Sequence, residues 1–189
     1  KNMNNKIAIV CGEKKSIGPE IISKSWNKIN LNLKRKIFLI GDYDLLKYQF
    51  KKIMPKIKLR LINNIDNLSN ELDILHIKSN KKEYVRFCLN IAHTLSIEKK
   101  IKGFVNCPVE KKSLGSNNIG VTEYLSKKNK VFGKELMMIY NNKFAVVPLT
   151  THIPLKMVTP KINKLFVYNK IFNLNYNFKK ILKRKPRIA

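Results

Sequence analysis

One histidine in the sequence occupies a position suited to chemistry. His152 follows an apolar stretch and two threonines in AVVPLTTHIPL (145–155), before a turn that Pro154 restricts. An imidazole at the end of a buried strand can bind a divalent metal or transfer a proton. It can also be a packed group whose nitrogens are satisfied by neighbours, and no second or third metal ligand is evident in the sequence. The other two histidines, His76 and His93, fall within a predicted strand and a predicted helix, where structural roles are expected.

A second candidate is GEKKSIGPEII (12–22), which joins a predicted strand to a predicted helix. In open α/β sheets, ligands bind beyond the carboxyl ends of the strands. Gly18 and Pro19 are typical of a helix start, with proline at the first helical position, and the N–H groups there could receive an anion. The spacing matches neither the dinucleotide-binding motif nor the P-loop, so a plain strand-to-helix connection is the alternative.

A third candidate is NCPVEKKSLG (106–115). Lys111 and Lys112 could present their charges to a phosphate group. Lysine is so common in this chain, however, that composition alone favours ordinary surface positions for them. Cys107 is expected to be a small residue at a strand end rather than a nucleophile, because no histidine adjoins it in the sequence.

The chain is strongly basic. Lys plus Arg number 39 and Asp plus Glu number 12, which gives a formal net charge of +27. Such a charge is typical of nucleic-acid-binding proteins. Here the lysines are spread along the whole chain among Asn and Ile, which indicates a compositional bias with lysine as the default surface residue and predicts no nucleic-acid partner. A surface that attracts anions, including phosphorylated metabolites, is the alternative.

The cysteines and the apolar runs indicate the cellular compartment of the protein. Cys11, Cys88 and Cys107 are odd in number and lack CxxC spacing, which argues against a disulfide framework or zinc ribbon and favours a reducing cytoplasm. A strand-like run follows only a few polar residues at the N-terminus, so no signal peptide is indicated. No apolar run approaches the roughly 18 residues of a membrane span. We therefore expect a cytoplasmic protein with no membrane partner.

Short apolar runs alternate with amphipathic segments in the first part of the chain. Strands are predicted at 6–12, 36–42, 56–62, 71–78 and 101–109. Helices are predicted at 19–29, 43–54 and 83–100. Strands that alternate with helices are typical of βαβ units, so the sequence predicts an α/β fold with a mostly parallel sheet.

The pattern changes after about residue 112. The stretch 112–120 is rich in Gly, Ser and Asn and predicts a loop, and Thr122 is expected to be the N-cap of a helix. Two apolar runs within 136–149, separated by the turn residues 141–143, predict a β-hairpin. One or two helices are expected over 159–184.

The change of pattern predicts two lobes. We expect a first α/β lobe over 1–115 and the start of a second lobe over 116–189. The segment 185–189 reads as the opening of a further strand, which predicts that more protein follows Ala189, and Met3 is a candidate for the true start.

Five stretches, taken in order, resemble the 4-hydroxythreonine-4-phosphate dehydrogenase family of pyridoxine biosynthesis. GEKKSIGPEI resembles the family's G-[ED]-P-A-G-I-G-P-E, VNCPVEKK its I-T-G-P-[VI]-x-K, and GVTEYL its G-H-T-E-F-[FL]. MMIYNNKFAVVPLTTHIPL resembles its M-M-L segment followed by L-x-V-x-[LP]-x-T-T-H-[IL]-P-L, the most specific of the set. KPRIA resembles the P-[RK]-I strand that precedes the family's N-P-H-A-G-E segment. The resemblance covers essentially the whole chain and implies the N-terminal portion of a longer enzyme.

The resemblance implies a fold like that of isocitrate and isopropylmalate dehydrogenases. This is a two-lobed α/β fold, with a mostly parallel sheet covered by helices on both faces, incomplete at its C-terminus in this chain. The active site would lie in the cleft between the lobes, near the interface of a homodimer.

The resemblance also implies an activity. The family uses NAD or NADP to oxidise 4-phosphohydroxy-L-threonine to 2-amino-3-oxo-4-(phosphooxy)butanoate, which decarboxylates to 3-amino-2-oxopropyl phosphate. A divalent metal such as Zn, Mg or Co, bound by three histidines, assists both steps. His152 matches the first of these ligands, and the other two would lie beyond Ala189. Thr122 matches a substrate-contacting threonine, whereas no catalytic or cofactor-binding residue is singled out. The chain by itself is therefore expected to be inactive.

Several positions depart from the family pattern. Val121 stands where the family has a substrate-contacting histidine, and 14–16 reads Lys-Lys-Ser instead of Pro-Ala-Gly. Lys14, Lys15 and Lys111 are candidates for replacing lost phosphate contacts. The departures leave two other interpretations within this fold open. The protein could be a dehydrogenase of threonate or erythronate 4-phosphate, or it could have lost its activity. A basic nucleic-acid-binding module without catalysis is the alternative from another class.

Overall fold

The computed structural model describes the residues 5–78, 83–115, 120–131, 133–141 and 143–189. The candidate start Met3, part of the predicted loop 112–120 and the middle residue of the predicted hairpin turn, Asn142, lie outside these ranges. The chain divides into two compact units, Lys1–Val121 and Thr122–Ala189. The predicted lobe boundary between residues 115 and 116 stays a prediction.

The first unit is built on a five-stranded sheet. Its strands are β1 (Ile7–Val10), β2 (Ile37–Gly41), β3 (Leu59–Ile62), β4 (Leu72–His76) and β5 (Gly103–Asn106). They lie in the order β3-β4-β2-β1-β5, and every neighbouring pair is parallel. The predicted α/β class and its parallel sheet are confirmed.

Four helices connect these strands. They are α1 (Gly18–Trp26), α2 (Leu31–Lys34), α3 (Tyr43–Ile53) and α4 (Tyr84–Ile97). The short α2 was not predicted from the sequence. It is held by Asn30, whose side chain accepts a hydrogen bond from the N–H of Leu33 at 2.9 Å, the usual contact of an N-cap.

Helices cover both faces of this sheet. Every residue of β2 is buried, which requires cover on both sides because successive side chains point to opposite faces. Ile37 and Leu39 belong to one core cluster with side chains of α1 and α3. Helix α4 contacts β1, β2 and β5, and its buried residues recur at helical spacing: Tyr84, Val85, Cys88, Leu89 and Ala92.

A buried carboxylate joins β3 to β4. Asp73 is fully buried and accepts hydrogen bonds from Arg60 Nε at 2.6 Å and Nη2 at 3.1 Å. It also accepts from the N–H of Ser69 at 2.7 Å and the Ser69 hydroxyl at 2.9 Å. The hydrogen bond to Asp73 raises the pKa of the Arg60 guanidinium. The charge of Asp73 is therefore satisfied, and this carboxylate is a structural group.

In its described residues the second unit contains three α-helices and a hairpin. They are α5 (Val121–Lys128, whose first residue falls in the first unit), β6 (Ile139–Tyr140), β7 (Ala145–Val146), α6 (Val158–Lys161) and α7 (Lys164–Leu182). The strands β6 and β7 are antiparallel, so the predicted hairpin is confirmed, although only two residues of each strand pair. Helix α7 begins after Asn163, whose side chain accepts from the N–H of Phe166 at 2.9 Å. In the described ranges, no helix is both long and apolar enough to cross a bilayer.

Three local predictions were wrong. Helix α5 (Val121–Lys128) begins one residue earlier than expected, so Thr122 lies in its first turn and is not its N-cap. The segment Lys111–Leu114 forms a 3-10 turn instead of a loop. Residues 185–189 are not in a strand: they follow the left-handed Lys183 at the end of α7, and no described strand pairs with them.

Candidate functional site

A small cavity in the second unit brings His152 and Thr122 together. Its volume is about 50 Å³, a little more than one water molecule occupies. Its lining residues are Thr122, Glu123, Glu135, Met137, Pro148, Leu149, Thr151, His152 and Lys170. Two residues that were singled out separately in the sequence thus share one site.

Four segments position this cavity. The first turn of α5 supplies Thr122, the segment before β6 supplies Glu135, the segment after β7 supplies His152, and α7 supplies Lys170. The side chains of Thr122 and His152 are exposed, which leaves their polar atoms accessible. His152 has a φ of 54°, in the left-handed region that few residues other than glycine adopt. Histidine is one of the residues that adopt this region more readily than most, and Lys99, Lys130 and Lys183 have similar φ values.

The charges around this cavity are unusual for the unit. Residues 122–189 contain fifteen basic side chains and only two acidic ones, Glu123 and Glu135. Both glutamates line the cavity. Lys170 lines it as well, and its Nζ donates to the backbone oxygen of Glu135 at 3.0 Å. Almost all the negative charge of a strongly basic unit is therefore placed beside His152 and Thr122.

The carboxylate of Glu135 is not fully hydrogen-bonded by the described residues. Its Oε2 is buried and has no hydrogen-bond partner among the described residues. A buried carboxylate oxygen without a donor costs free energy, and a bound hydroxyl, amine or water would remove that cost. Sequence reasoning missed Glu135 and Lys170. The one available signal was the scarcity of acidic residues after position 121.

The described residues supply only part of a metal site. Within the described part of the chain, no three His, Cys, Asp or Glu side chains come together in a way that could hold a metal. The exposed imidazole of His152 is suited to serve as one ligand. A complete metal site would need further ligands from outside the described residues.

Two other candidates lie elsewhere. Val121 is the first residue of α5, half-buried, and does not line the cavity around His152. Lys111 lies in the first unit, exposed, at the start of the 3-10 turn Lys111–Leu114. The structure does not place either of them with His152.

A second cavity lies at the carboxyl ends of β1 and β5, and we call it the β1–β5 crevice. Its volume is about 510 Å³. Its lining residues are Glu13, Lys14, Lys15, Ser16, Tyr84, Val85, Pro108, Val109 and Glu110. The segment GEKKSIGPEII therefore borders a cavity at the end of the sheet where ligands of α/β folds bind.

The helix start beside this crevice offers fewer N–H groups than expected. Helix α1 begins at Gly18, so Pro19 is its second residue and not its first. The N–H of Gly18 donates to Ser16 Oγ at 3.1 Å, and Pro19 has no N–H. The expectation of free N–H groups is wrong for these two positions, so an anion here would depend on side chains.

Close packing explains the two glycines of this segment. A Cβ on Gly18 would lie 2.6 Å from the backbone oxygen of Cys11, and one on Gly12 would lie 2.6 Å from that of Pro108. Gly12 also has a φ of 78°, which favours glycine. The glycines let the loop after β1 pack tightly against the loop after β5.

Cys107 is not suited to nucleophilic chemistry. Its side chain is buried, and burial raises the pKa of its thiol. The thiolate is the nucleophilic form, so a raised pKa keeps this cysteine unreactive.

A larger groove of about 660 Å³ lies in the second unit. It is bordered by the hairpin, by α7 and by residues 184–189. It shares Leu149 and Lys170 with the cavity around His152. None of the site residues predicted from the sequence lines this groove.

Comparison with known proteins identifies the family. Residues 33–189 match the family described as pyridoxal phosphate biosynthetic protein PdxA. The chain belongs to the PdxA family. The resemblance noted in its sequence motifs is thereby confirmed.

Curated relatives in this family carry two kinds of name. A 4-hydroxythreonine-4-phosphate dehydrogenase from Aquifex aeolicus is 30% identical over 98% of this chain and 62% of its own length. A D-threonate 4-phosphate dehydrogenase from Salmonella typhimurium is 26% identical over 97% of this chain and 62% of its own length. The chain thus spans about three fifths of the length of these relatives.

A solved structure supports the fold. A crystal structure of 4-hydroxythreonine-4-phosphate dehydrogenase from Klebsiella pneumoniae matches with a TM-score of 0.86 at 22% identity. The match covers 98% of this chain and 62% of that chain. The strands and helices described above therefore form part of the fold seen in that dehydrogenase.

Proposed function

We propose that the protein containing this chain is an NAD- or NADP-dependent dehydrogenase of 4-phosphohydroxy-L-threonine. The substrate's secondary alcohol is oxidised to a ketone, and the resulting β-keto acid loses CO2 to give 3-amino-2-oxopropyl phosphate. The observation that carries the proposal is the shared cavity of His152 and Thr122. Family membership supports it, since relatives with this activity in their names match nearly the whole chain.

The residues of the cavity have distinct roles in this proposal. The Thr122 hydroxyl hydrogen-bonds the substrate, and the exposed His152 imidazole supplies one of three histidine ligands to a divalent ion such as Zn, Mg or Co. When bound, such an ion would supply Lewis-acid stabilisation of the substrate's alcohol and ketone oxygens. A bound nicotinamide would supply the hydride acceptor, and the protein would align it with the substrate.

A second substrate is favoured by a specific observation. Val121 removes an imidazole that the family pattern places beside Thr122, and a changed contact there would alter which four-carbon phosphate is accepted. Relatives named D-threonate 4-phosphate dehydrogenase match almost as well as those named for 4-hydroxythreonine phosphate. Threonate or erythronate 4-phosphate is therefore the second candidate.

The proposal extends to the state of the working protein. We expect a cytoplasmic homodimer that binds a small phosphorylated substrate and no nucleic acid. The 189 residues alone are expected to be inactive, because their described part lacks a complete ligand set for the metal. Size-exclusion chromatography and an activity assay on residues 1–189 and on the full-length protein would check both statements.

The deciding experiment is a substrate comparison with purified full-length protein. Formation of reduced cofactor is followed with NAD and with NADP, in the presence of 4-phosphohydroxy-L-threonine, D-threonate 4-phosphate or D-erythronate 4-phosphate. The expected result is turnover of 4-phosphohydroxy-L-threonine that a metal chelator abolishes. Higher turnover of threonate or erythronate 4-phosphate would favour the second candidate. Turnover of none of the three by folded, metal-supplemented protein would refute both.

A further inference from the structure

The β1–β5 crevice lies where the connections of the sheet change direction. From β1 the chain passes through α1 to β2 on one side, whereas α4 brings the chain from β4 to β5 on the other side of β1. Helix α1 packs with α3, and α4 packs on β5 and β1. Residues of the loops after β1 and β5 line the crevice. In open α/β sheets this is the position at which ligands bind.

The crevice combines its position with a suitable size. A volume of about 510 Å³ is within the range of small-molecule sites, roughly 300–1,000 Å³. The glycines at positions 12 and 18 keep the two loops in close contact at its base. The space is thus held by the fold of the first unit.

Two lysines of the crevice are suited to an anion. Lys14 and Lys15 both line it, in the loop that directly follows β1. Lys14 Nζ lies 6.0 Å from the centre of the Tyr84 ring, a contact that draws this side chain toward the crevice wall. The hydroxyl of Ser16 accepts the N–H of Gly18 and so keeps its own proton to donate. Phosphate oxygens are natural acceptors for such a set of donors.

The crevice also holds an acceptor without a donor. Glu13 Oε1 is buried and has no hydrogen-bond partner among the residues described. The exposed Glu110 is the other carboxylate of the lining. A bare phosphate ion would leave Glu13 unsatisfied. A ligand that carries a hydroxyl beside its phosphate would satisfy both the lysines and Glu13.

We propose that the β1–β5 crevice binds a phosphate-bearing ligand, with Lys14, Lys15 and Ser16 on the phosphate and Glu13 on a hydroxyl of the same ligand. Two molecules of the proposed function have this chemistry, the nicotinamide dinucleotide with its ribose hydroxyls and the phosphorylated hydroxy substrate. The proposal rests on the proposed function for this choice of molecules. The lysines stand where the family pattern has Pro-Ala, so this phosphate site is a property of this chain.

The test is direct binding to the full-length protein by calorimetry, without turnover. The probes are NADP, NAD, 4-phosphohydroxy-L-threonine and inorganic phosphate. The test variant is Lys14→Ala combined with Lys15→Ala. The control is Lys51→Ala combined with Lys52→Ala, which removes the same charge from exposed positions on α3. Melting curves confirm that both variants are folded.

The expected result is a loss of affinity for at least one organic probe in the test variant alone. The loss should be about tenfold or more, because a hydrogen bond to a charged group is lost with each lysine. The probe that loses affinity identifies whether the cofactor or the substrate occupies the crevice. Equal affinities in all three proteins, equal losses in both double variants, or no binding of any probe to the wild type would overturn the proposal.

A second variant tests the role of Glu13. Glu13→Gln keeps the size of the side chain but removes its charge. This variant should have a lower affinity for the organic probe that depends on the lysines. Its affinity for inorganic phosphate should be unchanged or higher. Tighter binding of the organic probe would contradict the contact between Glu13 and a hydroxyl. Because binding is measured without turnover, a failure of the proposed reaction would leave this result unaffected.

Discussion

At the scale of single residues, the cavity around His152 joins groups that are useful for binding a small polar substrate. An exposed hydroxyl, an exposed imidazole and a lysine line the same cavity as a buried carboxylate oxygen that has no donor within the described ranges. The two glutamates are the only acidic residues in 122–189. Both carboxylates of this basic segment therefore line the same cavity.

Thr122 gives the first prediction. In the full-length enzyme, Thr122→Val should raise KM for the phosphorylated substrate by about tenfold, because a hydrogen bond to a charged ligand is worth about 1.5–3 kcal/mol. Thr122→Ser keeps the hydroxyl and should keep KM near the wild-type value. The melting temperature should change little in either variant, since Thr122 is exposed. Equal KM values for the Val and Ser variants would show that the hydroxyl does not contact the substrate.

Sequence reasoning found part of this site. His152 stood out because it follows an apolar run and precedes a proline-restricted turn, and Thr122 was indicated by a family motif. Glu135 and Lys170 could not be found in that way. They lie in a connecting segment and on a helix with many exposed positions, and only the folding of α5, α7 and the segment after β7 brings them to one cavity.

At the scale of elements, the sheet of the first unit fixes the β1–β5 crevice. The loops after β1 and β5 touch through two glycines, and an added methyl group at Gly18 would meet the backbone of Cys11 at 2.6 Å. Backbone atoms cannot move aside as a flexible side chain can. The geometry of the crevice therefore depends on these glycines.

Gly18→Ala is accordingly predicted to destabilise the protein. The expected loss in the free energy of unfolding is about 1–3 kcal/mol, the usual effect of overpacking. The matched control is Gly103→Ala in β5, where an added Cβ would meet nothing within 4 Å. Urea denaturation of the two variants and the wild type would check this. An equal loss of stability in both variants would contradict the packing explanation.

Elements buried on both faces were predictable, whereas those at the surface were less so. β2 reads as a continuous apolar run because both of its faces are covered, and its predicted range differs from the observed one by a single residue at each end. The hairpin strands β6 and β7 are exposed, and apolar character predicted longer strands than the two residues that pair. Residues 185–189 resemble a strand of the family pattern, but a strand also needs a neighbour, which local sequence does not reveal.

At the scale of the whole molecule, the two units differ in how much apolar surface they bury. The first unit contains all the buried hydrophobic residues among those described, including Phe38, Leu39 and Phe50. In the described part of the second unit, Ser126 is the one buried residue, and α7 has none. Burial of apolar surface is the main source of stability, so the second unit should open more readily.

Hydrogen exchange of residues 1–189 measures this difference. Amides of β1, β2 and α4 should exchange slowly, and those of α7 should exchange much faster even though α7 is the longest helix. The reason is that a helix with no fully buried side chain has little tertiary packing to protect it, and helical hydrogen bonds alone are marginally stable in water. Protection of α7 equal to that of β2 would contradict the prediction. The same comparison in the full-length protein would show whether sequence outside these residues stabilises the second unit.

The most direct test of the proposed site is one set of measurements on His152→Ala in the full-length protein: metal content, melting temperature and turnover. We predict that bound metal is lost and turnover falls by about a thousandfold or more, since a Lewis acid contributes several kcal/mol and each 1.4 kcal/mol is a factor of ten. The melting temperature should stay close to that of the wild type, because the side chain is exposed. His152→Asn, which tolerates the positive φ, separates backbone strain from loss of the imidazole. A marked fall in melting temperature, with metal content and turnover per folded molecule preserved, would contradict a catalytic role for His152.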